Sequence, residues 1–389
     1  MRVLHTSDWH IGKKLGRYDR SDEYRAVIAE IAEIADREQV DLVLHSGDLF
    51  DRPLPPIDAM EIAFSGLVAL SGGGSRPVVV IAGNHDSPAF FETLAPYLRA
   101  QNIHLVGDIK RPEDGGVLEL ETAAGTAVVS CFPFLREGRA FDVWDPVEEH
   151  YKNYADRLRR IAEAYSAYAD DLAGSDAVTF LVAHFLVGGA KVHGHGAPRG
   201  ERELHMGEAY AATAEAIPPG PQYVALGHIH APQTVPGARV PAEYAGSLLE
   251  LDFGEAGEEK RVVIVDVEPG LPAKVRSAPL GAGRRLLRLT GPWEEVIAAD
   301  GAEESYLDLV VETAGPDPGL GDRAREAFDH LVKVRAEYPR AEAAAADRGS
   351  RGFPELYADY YLDREGAVAP DALLEAFVDV LEEVAGAPA

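Results

Sequence analysis

Five short polar clusters punctuate the first 230 residues of this 389-residue chain: Asp8-Trp9-His10, Gly47-Asp48-Leu49-Phe50-Asp51, Gly83-Asn84-His85-Asp86, Ala183-His184-Phe185 and Gly227-His228-Ile229-His230. Carboxylates, imidazoles and one carboxamide make up a donor set suited to manganese or iron and compatible with zinc. The single cysteine, Cys131, leaves no thiolate set for a structural zinc and excludes an internal disulfide. Two divalent ions about 3.5–4 Å apart clamp the attacking and leaving oxygens of an in-line displacement at phosphorus and generate hydroxide near neutral pH. The chemistry these residues suggest is therefore displacement at a phosphate ester.

One carboxylate must bridge such a pair. Asp48 suits that place, because Gly47 before it and the short loop after it let its carboxylate stand clear of a strand end. Asp8, His10 and His230 then complete one ion's shell, and Asn84, His184 and His228 the other. His85, beside Asn84, takes a separate role: a protonated imidazole there stabilises a pentacovalent phosphorane and gives a proton to the departing alkoxide. Asp51, three residues past the bridge, is expected to orient that imidazole or a nearby water.

Each cluster follows an apolar, β-branched run: Val3–Thr6, Leu42–His45, Val78–Ala82, Val178–Val182 and Tyr223–Leu226. Strands that end in ligands place them on loops at one sheet edge, where a rigid scaffold holds them together. Helical periodicity over 21–38 and 57–70 alternates with the early strands, the pattern of a layered α/β domain. Paired short strands are predicted over 116–121 and 126–132, and a long helix over about 147–172. The glycine-rich stretch from Val187 to Gly200 reads as a loop near the site, and its His193 and His195 as solvent-exposed.

The ordered set Asp-x-His, Gly-Asp-x-x-Asp, Gly-Asn-His-Asp, His and Gly-His-x-His resembles the calcineurin-like metallophosphoesterase superfamily. Within it, the opening Met1-Arg2-Val3-Leu4-His5-Thr6-Ser7-Asp8-Trp9-His10-Ile11-Gly12 is similar to bacterial nuclease subunits that work with an SbcC-type ATPase. Ser46–Arg52, Glu201–His205 and Tyr223–His230 carry the same resemblance, which is strong to about residue 270 and thereafter one of layout. It implies a four-layer α-β-β-α sandwich with a small α/β capping domain and a C-terminal helical tail. By resemblance, Asp8, His10, Asp48 and His230 hold a first Mn2+, and Asp48, Asn84, His184 and His228 a second, with His85 the catalytic histidine. The implied activities are exonuclease cleavage of double-stranded ends and endonuclease cleavage of single strands or hairpins, in DNA repair, recombination and replication. A homodimer of nuclease subunits is implied too.

With 46% hydrophobic and 26% charged residues the chain is globular and long enough for two or three units. It contains no apolar run of membrane-spanning length and opens directly on a ligand-bearing strand, so a cytoplasmic location is expected. Cys131 reads as a buried packing residue. The net charge of −28 is the awkward observation, since nucleic-acid binding usually leaves a basic footprint. Local exceptions are Lys13, Lys14, Arg17 and Arg20 after the first cluster, and Lys191, Arg199 and Arg202 after His184. These are the candidate DNA contacts, although the isolated chain is expected to bind DNA weakly, with partner or dimer groove supplying affinity.

The expected division is a nuclease domain over 1–270, a capping domain over 271–340 and a linker with a partner-binding helical tail over 341–389. Pro269-Gly270 marks the first boundary. The capping region shows strand candidates at Arg285–Leu289 and Tyr306–Val311 and a helix from Asp322 to His330; its Trp293 and Tyr306 read as core. In the tail, Phe353, Leu356 and Tyr357 begin one apolar stripe, and Leu374, Phe377 and Leu381 lie on a second. Two short helices cannot bury those stripes alone, and the resemblance favours docking on the ATPase's coiled coil. Two other functions share the sequence features: a phosphodiesterase for a small nucleotide, which has the same ligands and suits the acidic charge, and a non-catalytic scaffold that recruits a partner.

Overall fold

The computed structural model describes residues 1–136, 154–191, 211–212, 214–339, 352–365 and 368–385. Arg199, Arg202, His193 and His195 lie outside them. The first of two compact units, Met1–Leu286, runs β1 (Arg2–Thr6), α1 (Ser21–Arg37), β2 (Leu42–His45), α2 (Ile57–Leu70), β3 (Val78–Ile81), α3 (Pro88–Leu98), β4 (Ile103–Val106), β5 (Val117–Thr122), β6 (Gly125–Phe132), α4 (Tyr154–Ala173) and β7 (Val178–His184). It continues through the short strands β8 (Leu186–Val187) and β9 (Ala211–Ala212), then β10 (Tyr223–Gly227), β11 (Gln233–Thr234), β12 (Ala242–Tyr244), β13 (Arg261–Asp266) and β14 (Lys274–Pro279).

Two six-stranded sheets form, in the orders β14-β13-β1-β2-β3-β4 and β11-β12-β10-β7-β6-β5. Period-2 alternation explains how they stack. In β3, Val78 and Val80 join the core under α1, α2 and α3, while Val79 and Ile81 face a different one. In β7, Leu181 and Ala183 join the core with Leu158 and Tyr165 of α4, while Phe180 and Val182 share the same central core as Val79 and Ile81. A strand buried on both sides reads as a continuous apolar run, which is why these segments are so β-branched. The result is four layers, α-β-β-α, with Cys131 buried in the central core.

Strands β1, β2, β3 and β4 are mutually parallel, as are β6, β7, β10 and β12, so the ligand-bearing strand ends β1–β3 share one edge of their sheet and β7 and β10 share one edge of theirs. β14 pairs antiparallel with β13 over Arg261–Asp266, so the unit runs past Pro269-Gly270 to Leu286. The boundary expected at 270 therefore falls inside the first sheet: the turn at Gly270 joins two paired strands.

The second unit, Leu287–Ala389, holds all but the first residue of β15 (Leu286–Pro292), then α5 (Trp293–Ile297), β16 (Tyr306–Glu312), α6 (Leu320–Ala327), β17 (Leu331–Glu337), α7 (Phe353–Glu365) and α8 (Asp371–Ala385). Strands β15, β16 and β17 make a three-stranded sheet whose core includes Leu307, Leu309, Val311 and Phe328. The helix expected to reach His330 stops at Ala327, and a third strand, β17, follows where the periodicity suggests none. Tyr306 is buried, and Trp293 packs on this core with Arg323 over its ring. In the tail, Tyr357 of α7 stacks on Phe377 of α8 with ring centroids 4.0 Å apart. Phe353, Tyr360, Leu362 and Val380 stay exposed.

Candidate active site

The clusters ending β1, β2 and β3 are laced together through backbone. Asp8 donates its N–H to the Gly47 carbonyl and His10 donates to that of Asp48, both at 3.0 Å. Asp86, fully buried, accepts from the N–H groups of Leu49, Phe50 and Gly83, so the second and third clusters form one rigid piece. Burial, reinforced by Asp48, pushes its carboxyl up to about 7. This bracing role of Asp86 is not apparent from the sequence.

Backbone conformation marks the same residues. Among the described non-glycine residues, positive φ occurs at Asp8 (49°), His10 (47°), Asp48 (53°), His228 (93°), Gln39 and Asn102. Four of the six are candidate ligands, and strain of this kind persists only where surrounding structure over-determines it. The glycines of the clusters have steric reasons. A Cβ at Gly83 would overlap the Asp48 carboxylate and backbone nitrogen, and one at Gly47 would overlap the His184 ring. A Cβ at Gly227 would overlap the Ser46 carbonyl and the Ser7 hydroxyl.

The side chains converge on two adjoining points. Asp48 Oδ2 lies 3.5 Å from His10 Nε2 and 3.4 Å from His184 Nε2. His10 Nε2 lies 3.0 Å from His230 Nε2, with Asp8 Oδ1 3.8 Å from the latter. On the other side, Asn84 Oδ1 is 3.0 Å from both His184 Nε2 and His228 Nδ1. Asp8, His10 and His230 each offer a ligand atom within 4.8 Å of the others, and so do Asp8, Asp48 and His184. Asp8, His10, Asp48, His184 and His230 are buried, whereas Asn84, His85 and His228 are half-buried and form the accessible side.

Tautomers follow from the second contacts of each ring. His184 Nδ1 lies 2.8 Å from the Ser46 carbonyl, which can only accept, so in the neutral ring Nε2 turns a lone pair toward Asn84 and Asp48. His230 Nδ1 lies 2.7 Å from Glu255 Oε1, leaving Nε2 to face His10. Lone pairs therefore crowd together without enough protons between them. Burial works against charge on His184, yet Asp48 outweighs it and raises the imidazole to about 9. Burial also opposes charge on Asp48, but His184, followed by His10 and His85, holds its carboxyl well below the usual range. A place that draws protons onto a buried imidazole is one that favours cations, and its O and N donors fit divalent ions.

His85 and Asp51 are related differently from the expectation. The ring's Nδ1 lies 3.0 Å from the Asp51 backbone carbonyl, while the Asp51 carboxylate meets Lys13 Nζ at 3.2 Å and His10 Nδ1 at 3.7 Å. Asp51 thus holds His85 by its backbone, and its side chain serves His10. Its carboxyl sits near 2: His10, then Lys13, outweigh burial. The His85 N–H donates to Asp48 Oδ1 at 2.8 Å, and its ring stands edge-on to His10.

Of the expected DNA contacts, Lys14 and Arg17 are exposed, and Lys13 is half-buried on Asp51. Arg20 is not one of them. It is 3% exposed, forks onto Glu23 and donates to the Glu250 carbonyl, so its guanidinium is committed to the fold. Sequence reasoning missed Glu255, Phe134, which stacks on His228, and Arg136, which donates to the Asn84 and Asp86 carbonyls. No helix of the described residues is long and apolar enough to cross a membrane.

Residues 1–232 match the family profile described as calcineurin-like phosphoesterase. Residues 282–355 match one described as the Type 5 capsule protein repressor C-terminal domain. The chain is 36% identical over 310 residues to the SbcD subunit of nuclease SbcCD from Bacillus subtilis (strain 168), covering 79% of this chain and 74% of that protein. The namesake of Rhodobacter capsulatus is 31% identical over 386 residues, covering 96% and 90%. That of Escherichia coli (strain K12) is 29% identical over 325 residues, covering 80% and 78%. The chain belongs to the calcineurin-like phosphoesterase family, in the branch of the SbcD nuclease subunits.

Proposed function

We propose that this chain is the metal-dependent nuclease subunit of a complex with an SbcC-type ATPase, hydrolysing DNA phosphodiesters as an exonuclease on duplex ends and an endonuclease on single strands and hairpins. The observation that carries the reading is the place of Asp48 Oδ2, 3.5 Å from His10 Nε2 and 3.4 Å from His184 Nε2, where one oxygen faces both halves of the site. Asp8, His10, Asp48 and His230 hold one Mn2+ in this reading, and Asp48, Asn84, His184 and His228 the other. The bound pair supplies positive charge to the phosphate and lowers the pKa of water in the site.

The residues do the rest. Water gives up a proton to solvent as its oxygen bonds to phosphorus, the bond from phosphorus to the leaving oxygen breaks, and His85 gives a proton to that oxygen and regains one from solvent. With Nδ1 fixed on the Asp51 carbonyl, Nε2 is the ring nitrogen left for substrate. Lys13, Lys14 and Arg17 serve the DNA backbone beside the site. The sheet of β15–β17 acts as a capping domain, and α7 and α8 dock on the ATPase through Phe353, Leu356, Tyr357, Leu374, Phe377 and Leu381. Nuclease subunits pair as a homodimer in the cytoplasm.

The net charge of −28 favours a second reading, a phosphodiesterase for a small nucleotide. Labelled duplex and hairpin DNA, with bis(p-nitrophenyl) phosphate alongside, separate the two when offered with Mn2+, the ATPase partner and ATP. DNA cleavage stimulated by the partner supports the nuclease. Rapid turnover of the small ester with intact DNA supports the alternative, and tight partner binding without hydrolysis of either supports a non-catalytic scaffold.

A further inference from the structure

Among the candidate histidine ligands, His230 has a second contact unlike the others. His184 Nδ1 faces a neutral carbonyl, His228 turns its own Nδ1 toward Asn84, and His10 Nδ1 has no hydrogen-bond partner among the described residues, its nearest carboxylate oxygen being Asp51 Oδ1 at 3.7 Å. His230 Nδ1 instead meets a carboxylate, Glu255 Oε1, at 2.7 Å. Glu255 is fully buried. Its other oxygen, Oε2, accepts from Lys260 Nζ at 2.8 Å, Ser247 Oγ at 3.0 Å and the Leu251 N–H at 3.1 Å. Lys260, 2% exposed, also pairs with Glu258 at 2.7 Å and donates to the His230 carbonyl at 3.3 Å.

Division of labour between the two oxygens gives this network its meaning. Three donors hold Oε2 and fix the carboxylate in one rotamer, which turns Oε1 to the imidazole. A carboxylate turned this way accepts the hydrogen bond from the Nδ1–H, which sets the Nε2 lone pair toward the site and raises the ring's basicity. A buried carboxylate needs a charge partner to persist, and Lys260 supplies it.

We propose that Glu255 is a positioning residue that makes His230 the strong imidazole ligand of the ion held with Asp8 and His10, with Lys260 as the anchor that keeps Glu255 charged and turned. This rests on the two-metal reading above. The two ions then differ in affinity for a reason built into the fold: the one on the His230 side has a carboxylate-backed imidazole, and the one on the His184 side has a carbonyl-backed imidazole.

The test is calorimetric titration of the metal-stripped full chain with Mn2+, in the natural chain, Glu255→Gln and Glu255→Asp, with thermal unfolding of each stripped protein. Glu255→Asp is included because it keeps a charge for Lys260 while withdrawing from His230, should Glu255→Gln fail to fold. The expected result is two binding steps in the natural chain, with one step weakened about tenfold to a hundredfold in either variant and the other within about twofold. Both steps unchanged in a folded variant would overturn the proposal, as would both weakened equally. A natural chain that binds no Mn2+ would instead remove the two-metal reading itself.

Discussion

His85 Nδ1 lies 3.0 Å from the backbone carbonyl oxygen of Asp51, so the ring is held by main chain and not by a carboxylate. Side-chain changes at Asp51 therefore spare the orientation of His85 while disturbing His10. At saturating Mn2+, Asp51→Asn should keep activity within about tenfold of the natural chain, with weaker Mn2+ binding. His85→Ala should lose about a hundredfold to ten-thousandfold in turnover. Steady-state rates and Mn2+ titrations of both variants decide it; an Asp51→Asn loss as deep as that of His85→Ala contradicts the assignment.

Gly83 sits against Asp48 with no room for a side chain. Gly83→Ala should cost about 1–3 kcal/mol of stability through overpacking and weaken Mn2+ binding by displacing the Asp48 carboxylate. A thermal melt and a metal titration of the same variant check both halves. Normal metal binding would mean that the Asp48 loop has slack that its contacts do not show.

Arg20 is tied to Glu23 and Glu250, whereas Lys14 and Arg17 are exposed. Arg20→Ala should destabilise the fold by about 1–3 kcal/mol, because the half-buried Glu23 carboxylate and the Glu250 carbonyl lose its hydrogen bonds, while leaving DNA affinity unchanged. Lys14→Ala and Arg17→Ala should each weaken DNA binding and reduce its salt dependence by about one counterion. Binding isotherms across salt concentrations separate the two behaviours.

His5 joins the two sheets: Tyr223 OH lies 2.8 Å from Nδ1 and Ser46 Oγ 2.9 Å from Nε2. Burial, and then Arg261, lowers its pKa from 6.5 to about 3. Between those values the unfolded chain binds the extra proton, so the stability His5 contributes is complete above pH 6.5 and is lost as pH falls toward 3. The loss approaches about 1.4 kcal/mol per pH unit. His5→Gln should therefore lose about 1–2 kcal/mol less than the natural chain between about pH 7.5 and pH 5, measured by urea unfolding. An identical acid slope would show that His5 does not titrate this way.

The four-layer fold was legible because its strands are buried on both faces and end in polar clusters, as at Leu42–His45 and Tyr223–Gly227. The convergence of those clusters could be read because each follows a strand. Glu255 was not legible: it lies in the acidic stretch Gly254–Lys260, which looks like solvated surface, and only the fold brings it to His230, 25 residues away. Arg20 misled for the converse reason, since its burial against Glu250 depends on contacts across 230 residues. β17 has one buried residue, Leu331, and then alternates half-buried and exposed positions shortly after α6, a weak pattern easily merged with the helix before it. The domain boundary was misplaced at Gly270 because the turn there resembles a linker but joins two paired strands, and the first unit runs on to Leu286.

The central claim is that the Asp48-centred cluster is a two-metal phosphodiesterase site acting on DNA. The most direct measurement incubates the purified chain, with Mn2+ and then with EDTA, on an end-labelled duplex and a hairpin, beside His85→Ala whose Mn2+ content is measured. The account predicts cleavage with Mn2+, none with EDTA, and loss of cleavage in the variant at undiminished metal content. Intact DNA in every arm, including one with an SbcC-type partner and ATP, would contradict it.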